Sequence, residues 1–294
     1  MRVAILGSTG QLGQDLVEIL GQFDQFEVIP LTHDDADCTR ADSVRAAIRR
    51  AQPRALINCA SFVRVDDCEE QVMQAFDVNA FGALNVARAC AEIDATCVQV
   101  STDYVFDGLK DAAYVESDDA LPINVYGASK YAGELLVRQS APRWLIFRVA
   151  SLFGRHGARG KGGNFIEAIL QRAKRGEPLR VVDDVRVSPT YTRDAARVLG
   201  ELLRNGATGV FHSANAGSCT WYEFARAALA LCRLNAPIEA VASSAYPSRA
   251  RRPRNSALAS ERLAELASTP MPSWQEALRN YLVEKEHIQL VTPR

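Results

Sequence analysis

Tyr126 and Lys130 stand four residues apart in Tyr126-Gly127-Ala128-Ser129-Lys130, within a stretch of helical apolar spacing, so a phenol and an ammonium project from one helix face. Ionising a phenol of ordinary pKa, about 10, costs roughly 4 kcal/mol at pH 7. A cation one turn away lowers that cost and makes the phenol a better proton donor to a carbonyl. Upstream, Ser101-Thr102-Asp103 follows the apolar run Thr96 to Val100, which puts hydroxyls at a strand's carboxyl end, where α/β sheets bind ligands. One of those hydroxyls can polarise the carbonyl that the phenol protonates. The bland readings are a solvated helix face for the Tyr-Lys pair and a strand-end turn for Thr102.

A second constellation lies at the N-terminus, where Val3 to Leu6 runs into Gly7-Ser8-Thr9-Gly10-Gln11-Leu12-Gly13 and then a helical pattern. A glycine turn at such a junction brings backbone N–H groups and the positive helix end against a pyrophosphate. The Gly-x-x-Gly-x-x-Gly spacing departs from the Gly-x-Gly-x-x-Gly dinucleotide fingerprint. Its setting between strand and helix is what points to a dinucleotide; otherwise it is an ordinary glycine-rich turn. Where an acid would meet the adenosine ribose, Thr32-His33-Asp34-Asp35-Ala36-Asp37 offers carboxylates and no arginine, a lean toward NADH over NADPH. A nicotinamide ring held here would, when oxidised, join Lys130 in favouring the phenolate.

These groups need a scaffold, and the apolar pattern supplies one. Val3 to Leu6, Glu27 to Leu31, Ala55 to Asn58, Thr96 to Val100 and Trp144 to Arg148 read as strands. Amphipathic segments at Gln11 to Leu20, Ser43 to Ala51, Met73 to Ile93 and Val125 to Arg138 alternate with them. The series predicts an α/β fold: a Rossmann-like doubly wound parallel sheet with right-handed crossovers over residues 1–150. Beyond residue 150 the rhythm loosens. Gly154 to Gly163 holds five glycines with Arg155, Arg159 and Lys161, a candidate mobile loop in which Lys161 and Asn164 would close over a substrate. Helices are expected at Phe165 to Lys174, Arg193 to Leu203, Tyr222 to Leu234 and Trp274 to Tyr281, punctuated by prolines. Residues 151–294 thus read as a smaller, mainly helical substrate-binding part, with segments near 185–215 open to rejoining the sheet and the helices near 195 and 225 fitting either part.

Composition excludes more than it selects. With 294 residues, 48% hydrophobic, the chain can bury a large core, and 34 basic against 35 acidic residues leave no general pull toward nucleic acid or an anionic membrane. No long apolar run or charged leader precedes the first strand, so neither membrane spanning nor export is expected. Seven cysteines at 38, 59, 68, 90, 97, 219 and 232 make no Cys-x-x-Cys pair and no zinc spacing with the four histidines, which fits reduced packing thiols in a cytoplasmic protein.

Taken in order, Gly-x-x-Gly-Gln-Leu-Gly at 7–13, Ser-Thr-Asp-Tyr-Val-Phe-Asp-Gly at 101–108 and Asn-Val-Tyr-Gly-Ala-Ser-Lys-Tyr-Ala-Gly-Glu at 124–134 resemble the dTDP-4-dehydrorhamnose reductase family. That family lies within the extended short-chain dehydrogenase/reductases, the NAD-dependent epimerase/dehydratase-like superfamily. The resemblance runs on through Gly163-Asn164-Phe165, Ser188-Pro189-Thr190-Tyr191-Thr192 and Arg252-Pro253-Arg254-Asn255-Ser256, covering nearly the whole chain. It implies NADPH- or NADH-dependent reduction of a 4-keto nucleotide sugar, dTDP-4-dehydro-L-rhamnose to dTDP-L-rhamnose. It also implies Thr102, Tyr126 and Lys130 as the catalytic set, with Lys130 holding the nicotinamide ribose. Gly7, Thr9, Gly10, Gln11, Leu12 and Gly13 fall on its cofactor loop, Asp37 and Cys38 by its adenine, and Cys59, Ala60 and Ser61 on the loop after the third strand. Thr102, Asp103, Asn164, Arg252 and Asn255 are the expected substrate contacts.

Two departures stand out. Ser151 occupies a position where the best-known members carry a tryptophan near the sugar, and the segment from Arg155 to Lys161 is longer and more basic than theirs. Some members form homodimers through a magnesium ion held by acids; Asp15 matches one ligand, but Arg193 replaces another, so no metal is expected while a homodimer stays open.

Arg249, Arg251, Arg252 and Arg254, beside Pro247, Pro253 and Tyr246, suit a diphosphate; a solvated loop is the alternative, and the cluster is too short for a duplex. His156 and His212 have no partners at readable spacing and are expected to pack or lie on the surface; Trp144 and Trp221 are expected to fill core. Two other functions remain open. One is an epimerase or dehydratase, although Asp103 is followed by Tyr104 rather than by the second acid a dehydratase needs. The other is a non-catalytic, cofactor-binding regulatory subunit like that of methionine adenosyltransferase, against which the intact Thr102, Tyr126 and Lys130 weigh.

Overall fold

In the computed structural model, which describes residues 1–157 and 163–289, a six-stranded sheet organises the chain. Its spatial order is Gly209–Ser213, Trp144–Val149, Thr96–Thr102, Ala55–Asn58, Arg2–Leu6, Glu27–Leu31, and all neighbours pair in parallel. The first strand shows why it is central. Val3 and Ile5 point to a layer with Leu16, Leu20, Leu199 and Leu202, while Ala4 and Leu6 point to one with Val44, Ile48, Val86 and Ala87. A strand covered on both faces must be apolar throughout, which is the continuous run the sequence carries.

The chain comes back to this sheet after leaving it. Helix Thr192–Arg204 packs beside Gln11–Leu20 in the same core, and Gly209–Ser213 adds the sixth strand beside Trp144–Val149. Helix Trp221–Leu231 instead joins Phe165–Lys174 and Trp274–Glu284 around Phe153, Phe224 and Tyr281. Edge-on ring contacts of 5.3 and 5.4 Å tie Phe153 to Phe224 and to Tyr281. This second core also carries three two-stranded ladders that helical periodicity does not reveal, because their strands are only two to four residues long.

The long helical pattern from Met73 to Ile93 is interrupted. Val72–Phe76 passes through a π-helical turn, Asp77–Phe81, into Gly82–Glu92. Such turns inside helices often re-aim one side chain at a functional site. Here it is Asn79.

Candidate active site

The helix Val125–Ser140 and the strand Thr96–Thr102 bring the catalytic candidates together. Asn124 Oδ1 caps the helix by accepting from Gly127 N at 2.7 Å, and Val125 N donates to Glu69 Oε1 at 2.8 Å. From that fixed start, Lys130 Nζ reaches the sheet and donates to Val100 O at 2.7 Å. The Tyr126 phenol lies by Thr102, and the Tyr104 ring meets it edge-on at 6.0 Å. Thr102 Oγ1 in turn donates to Asp103 Oδ1 at 3.0 Å and accepts from Tyr104 N at 3.2 Å. A substrate oxygen seeking the Thr102 proton therefore competes with a carboxylate.

The protonation state differs from the expectation. Burial pushes Tyr126 well above the ordinary phenol range, with the Thr102 side chain opposing. The phenolate loses its hydration, and the cation meant to replace it is engaged elsewhere, on the Val100 carbonyl. Lys130 is itself pulled down to about 8 by burial, against the opposing field of Glu134. At neutral pH Tyr126 is a protonated phenol and Lys130 an ammonium, the state that donates a proton.

These groups face a cleft of about 430 Å³. Gly10, Gln11, Leu12, Cys59 and Ser61 line it together with Thr102, Asp103, Tyr126 and Lys130, and Ser151, Asn164, Phe165 and Trp221 complete the lining. Gly7 and Gly13 lie behind the lining and shape it. Gly7 has φ +78°, and a Cβ there would sit 2.9 Å from Ala60 N; at Gly13 a Cβ would sit 2.3 Å from Gly7 O. The turn thus folds so closely on the backbone behind it that these two positions admit no side chain. Thr9 O accepts from Gln14 Nε2 at 3.1 Å, and Ala60 N donates to Asn58 Oδ1 at 3.1 Å.

Other expected residues are placed differently. Asp37 Oδ1 accepts from Thr39 N and Oγ1 at 3.0 and 2.8 Å, and Cys38 is buried against Gly82, its thiol pushed up to about 11 by burial. Asp35 spends one oxygen on Thr32 N and Oγ1, at 2.9 and 2.7 Å, so that carboxylate is partly used in its own turn. Asn164 lines the cleft, yet its amide caps the next helix (Ile166 N, 2.8 Å) and donates to Tyr281 Oη at 3.1 Å. Asn255 is not in the cleft. Its side chain donates to Lys110 O and Ala112 O at 2.7 and 3.0 Å and accepts from Ala257 N at 3.1 Å, which makes it a loop brace.

Arg252 stands beside Tyr104 but aims its fork at Asp66, at 2.8 and 3.3 Å, and Arg249 pairs with Glu70 at 3.0 Å. Two of the four clustered guanidiniums are therefore neutralised by the helix Val65–Glu70, so the segment docks on the first half of the chain rather than standing open for a diphosphate. Arg159 and Lys161 lie outside the described residues.

Two contributors escaped sequence reasoning. Asn79, aimed by the π turn, accepts from Ser61 Oγ and Phe62 N, both at 2.8 Å, and donates to Ser129 Oγ at 3.0 Å, which ties the cofactor-side loop to the catalytic helix. Trp221, expected in the core, is only half-buried and lines the cleft, its ring 4.8 Å from that of Phe165. Thr220-Trp221-Tyr222-Glu223 held the signal: a capping box fixes Trp221 as the first helical residue, turned outward.

Around Asp15, Thr192 Oγ1 donates to one carboxylate oxygen and His156 lies 3.9 Å from the other. Asp15, Glu18 and His156 form a cluster able to hold a cation, but Arg193 Nη1 sits between Glu18 at 2.6 Å and Glu284 at 3.1 Å and supplies positive charge there.

A parallel sheet whose first crossover is a glycine cradle, with threonine, tyrosine and lysine converging at its carboxyl edge, defines an extended short-chain dehydrogenase/reductase scaffold. The RmlD substrate binding domain family matches residues 1–287. The chain belongs to this dTDP-4-dehydrorhamnose reductase family. It is 37% identical to the spore coat polysaccharide biosynthesis protein SpsK of Bacillus subtilis, covering 97% of this chain and 98% of that one. It is 36% identical to dTDP-4-dehydrorhamnose reductase of Burkholderia thailandensis, over 95% and 97% of the two chains. The solved dTDP-4-dehydrorhamnose reductase of Bacillus anthracis, in complex with NADP, superposes with a TM-score of 0.91 at 34% identity, covering 96% of this chain and 99% of that one. Among the described residues, no helix is long and apolar enough to cross a membrane.

Proposed function

We propose that this protein is an NAD(P)H-dependent reductase of the 4-keto group of a nucleotide-activated deoxysugar, converting dTDP-4-dehydro-L-rhamnose to dTDP-L-rhamnose. The observation that carries this reading is the convergence of Tyr126, Thr102 and Lys130 on one cleft that the glycine cradle also borders. When bound, the reduced nicotinamide supplies a hydride to the carbonyl carbon. Tyr126 gives its proton to the carbonyl oxygen, so the C=O becomes a CH–OH. Thr102 hydrogen-bonds that oxygen, and Lys130, with N–H groups left beyond the one on Val100, holds the cofactor ribose and stabilises the phenolate left behind. We place the reaction in the cytoplasm, in keeping with seven free thiols.

The experiment is a panel of 4-keto nucleotide sugars assayed with NADPH and with NADH. We expect one reduced cofactor consumed per sugar. An epimerase recycles its cofactor and a regulatory subunit consumes none, so catalytic turnover without net consumption, or no turnover at all, would refute the proposal. NADPH is the form we expect to be preferred, because the neighbouring acids Asp35 and Asp37 are partly engaged in their own turns.

Trp221 supplies an aromatic surface to the cleft, whose Ser151 offers none. Trp221→Ala should raise KM for the nucleotide sugar by ~10-fold, the loss of one aromatic contact of about 1.4 kcal/mol, and leave KM for NADPH unchanged. An equal rise in both would mean a structural effect only.

A further inference from the structure

Behind the catalytic residues lies a row of buried polar side chains that the reaction above does not use. Ser101, Arg148 and His212 are register partners across three adjacent parallel strands, so their side chains stand side by side on one face of the sheet. Glu134 descends onto that row from the helix Val125–Ser140. It is fully buried and gripped by Arg148, with Nε donating to Oε1 at 2.9 Å and Nη2 to Oε2 at 2.7 Å, while Ser101 Oγ donates to Oε1 at 2.5 Å. His212 Nδ1 faces two carbonyl oxygens, Tyr114 O at 3.1 Å and Ala259 O at 3.0 Å, so it must carry the proton. Nε2 is then an acceptor for Arg148 Nη1, 3.3 Å away, which settles the imidazole as neutral.

Tyr126, Lys130 and Glu134 fall at i, i+4 and i+8 of one helix, a single stripe along its face. The last member of that stripe is bolted to the sheet, and the other two must meet Thr102 and Val100 at its edge. Stability alone does not account for the bolt. A buried ion pair costs desolvation that its attraction barely returns, and well-packed apolar side chains of the same volume serve as well or better. Removing only one partner strands a charge.

We propose that Glu134, held by Arg148 and Ser101, is the positioning residue that sets the height of Lys130 and Tyr126 above the sheet edge and keeps a carboxylate on the Lys130 face of the helix. The inference rests on the reductase reading for its effect on turnover, though not for its effect on Lys130 itself. The carboxylate opposes the burial that pulls Lys130 down to about 8. The other groups acting on Lys130 are the thiols of Cys38 and Cys59, each raised by burial and uncharged at neutral pH. Beyond Arg148, the near charge is Glu116, which accepts from His212 N at 2.8 Å. Glu134 is therefore the carboxylate whose field acts on Lys130.

The test uses the full-length protein and its Glu134→Gln variant. Side-chain lysine NMR, with the Lys130 signal assigned through Lys130→Met, should place the wild-type titration midpoint near 8 and the variant's lower by ~1 pH unit or more. In turnover, kcat should fall ~10- to 100-fold, KM for the nucleotide sugar should stay within ~3-fold, and the alkaline limb of the kcat profile should move to lower pH. Glu134→Asp, which keeps the charge, should restore the limb. Should Glu134→Gln not fold, the double variant Glu134→Leu/Arg148→Met removes both charges at similar volume and should fold, with the same loss of kcat. An unmoved Lys130 midpoint, or a folded variant with wild-type kcat, overturns the proposal. A wild type inactive on every sugar would sink the reductase reading while leaving the NMR result to stand or fall alone.

Discussion

Replacing Tyr126 with Phe will lower reductase turnover by at least ~100-fold while NADPH still binds, because the exchange removes one oxygen and with it the general acid. The ring itself stays. Its edge contact with Tyr104, 6.0 Å between centroids, and its place above Thr102 need only the aromatic body, so the cleft keeps its shape. The direction of the Tyr126 shift makes the prediction sharper. Burial holds the phenol above its ordinary range, so it stays protonated through the neutral range and beyond and is always ready to donate. In the reverse direction the same group must start as phenolate, which buried surroundings disfavour. Oxidation of the product sugar should therefore be slow at pH 7 and rise with pH, until Lys130, near 8, begins to lose its proton. Initial rates in both directions for wild type and Tyr126→Phe, with NADPH affinity followed by its fluorescence, check the whole chain of reasoning. A variant that keeps turnover within ~3-fold would assign the proton to another donor, Thr102 being the one in reach.

How far the sequence reveals this site depends on what kind of signal each part leaves. Elements held by one continuous apolar face announce their own limits: Glu27–Leu31, Ala55–Asn58, Gln11–Leu20 and Phe165–Lys174 lie where periodicity puts them. The strand Gly209–Ser213 does not, because His212 and Ser213 are polar residues buried in the fold, His212 against the Tyr114 and Ala259 carbonyls far away in the chain. Val65–Glu70, read as Val-Asp-Asp-Cys-Glu-Glu, has no apolar stripe; its Asp66 and Glu70 are there to meet Arg252 and Arg249, almost two hundred residues on. The π turn around Asn79 changes the helix by one residue and leaves the hydrophobic pattern intact. For the site, spacing along one element was enough to pair Tyr126 with Lys130, and a strand-end position was enough for Thr102. Residues assigned by motif position alone fared less evenly. Asn255 braces a loop and Arg252 answers an acid, because a hydrogen-bonding side chain takes whichever partner the tertiary fold brings nearest. The polar row behind the site is invisible to spacing for the same reason: Ser101, Arg148 and His212 are joined by the register of three strands, and Glu134 by the helix packed on them.

Gly13→Ala should weaken NADPH binding by ~30-fold or more, and the argument is steric. An added methyl would lie 2.3 Å from Gly7 O, 2.9 Å from Ser8 Cα and 3.0 Å from Ser8 C. All three are backbone atoms, so no side chain can swing aside. The turn has to open instead, which carries the amino end of the helix Gln11–Leu20 away from the cleft and takes the anion-facing N–H groups with it. Overpacking of this kind costs about 1–3 kcal/mol, and about 2 kcal/mol spent on the bound geometry is the ~30-fold expected. Leu12 and Leu16 of that helix sit in the main core, so the melting temperature should fall as well. Gly206→Ala separates the two effects. Gly206 has φ +67° with open space around it, so alanine there strains the backbone by about 1 kcal/mol far from the cleft. Both variants should melt earlier, but only Gly13→Ala should lose cofactor. If Gly13→Ala held NADPH within ~3-fold of wild type, the glycine turn would not be the pyrophosphate cradle, and Tyr126 would be left without a hydride source beside it.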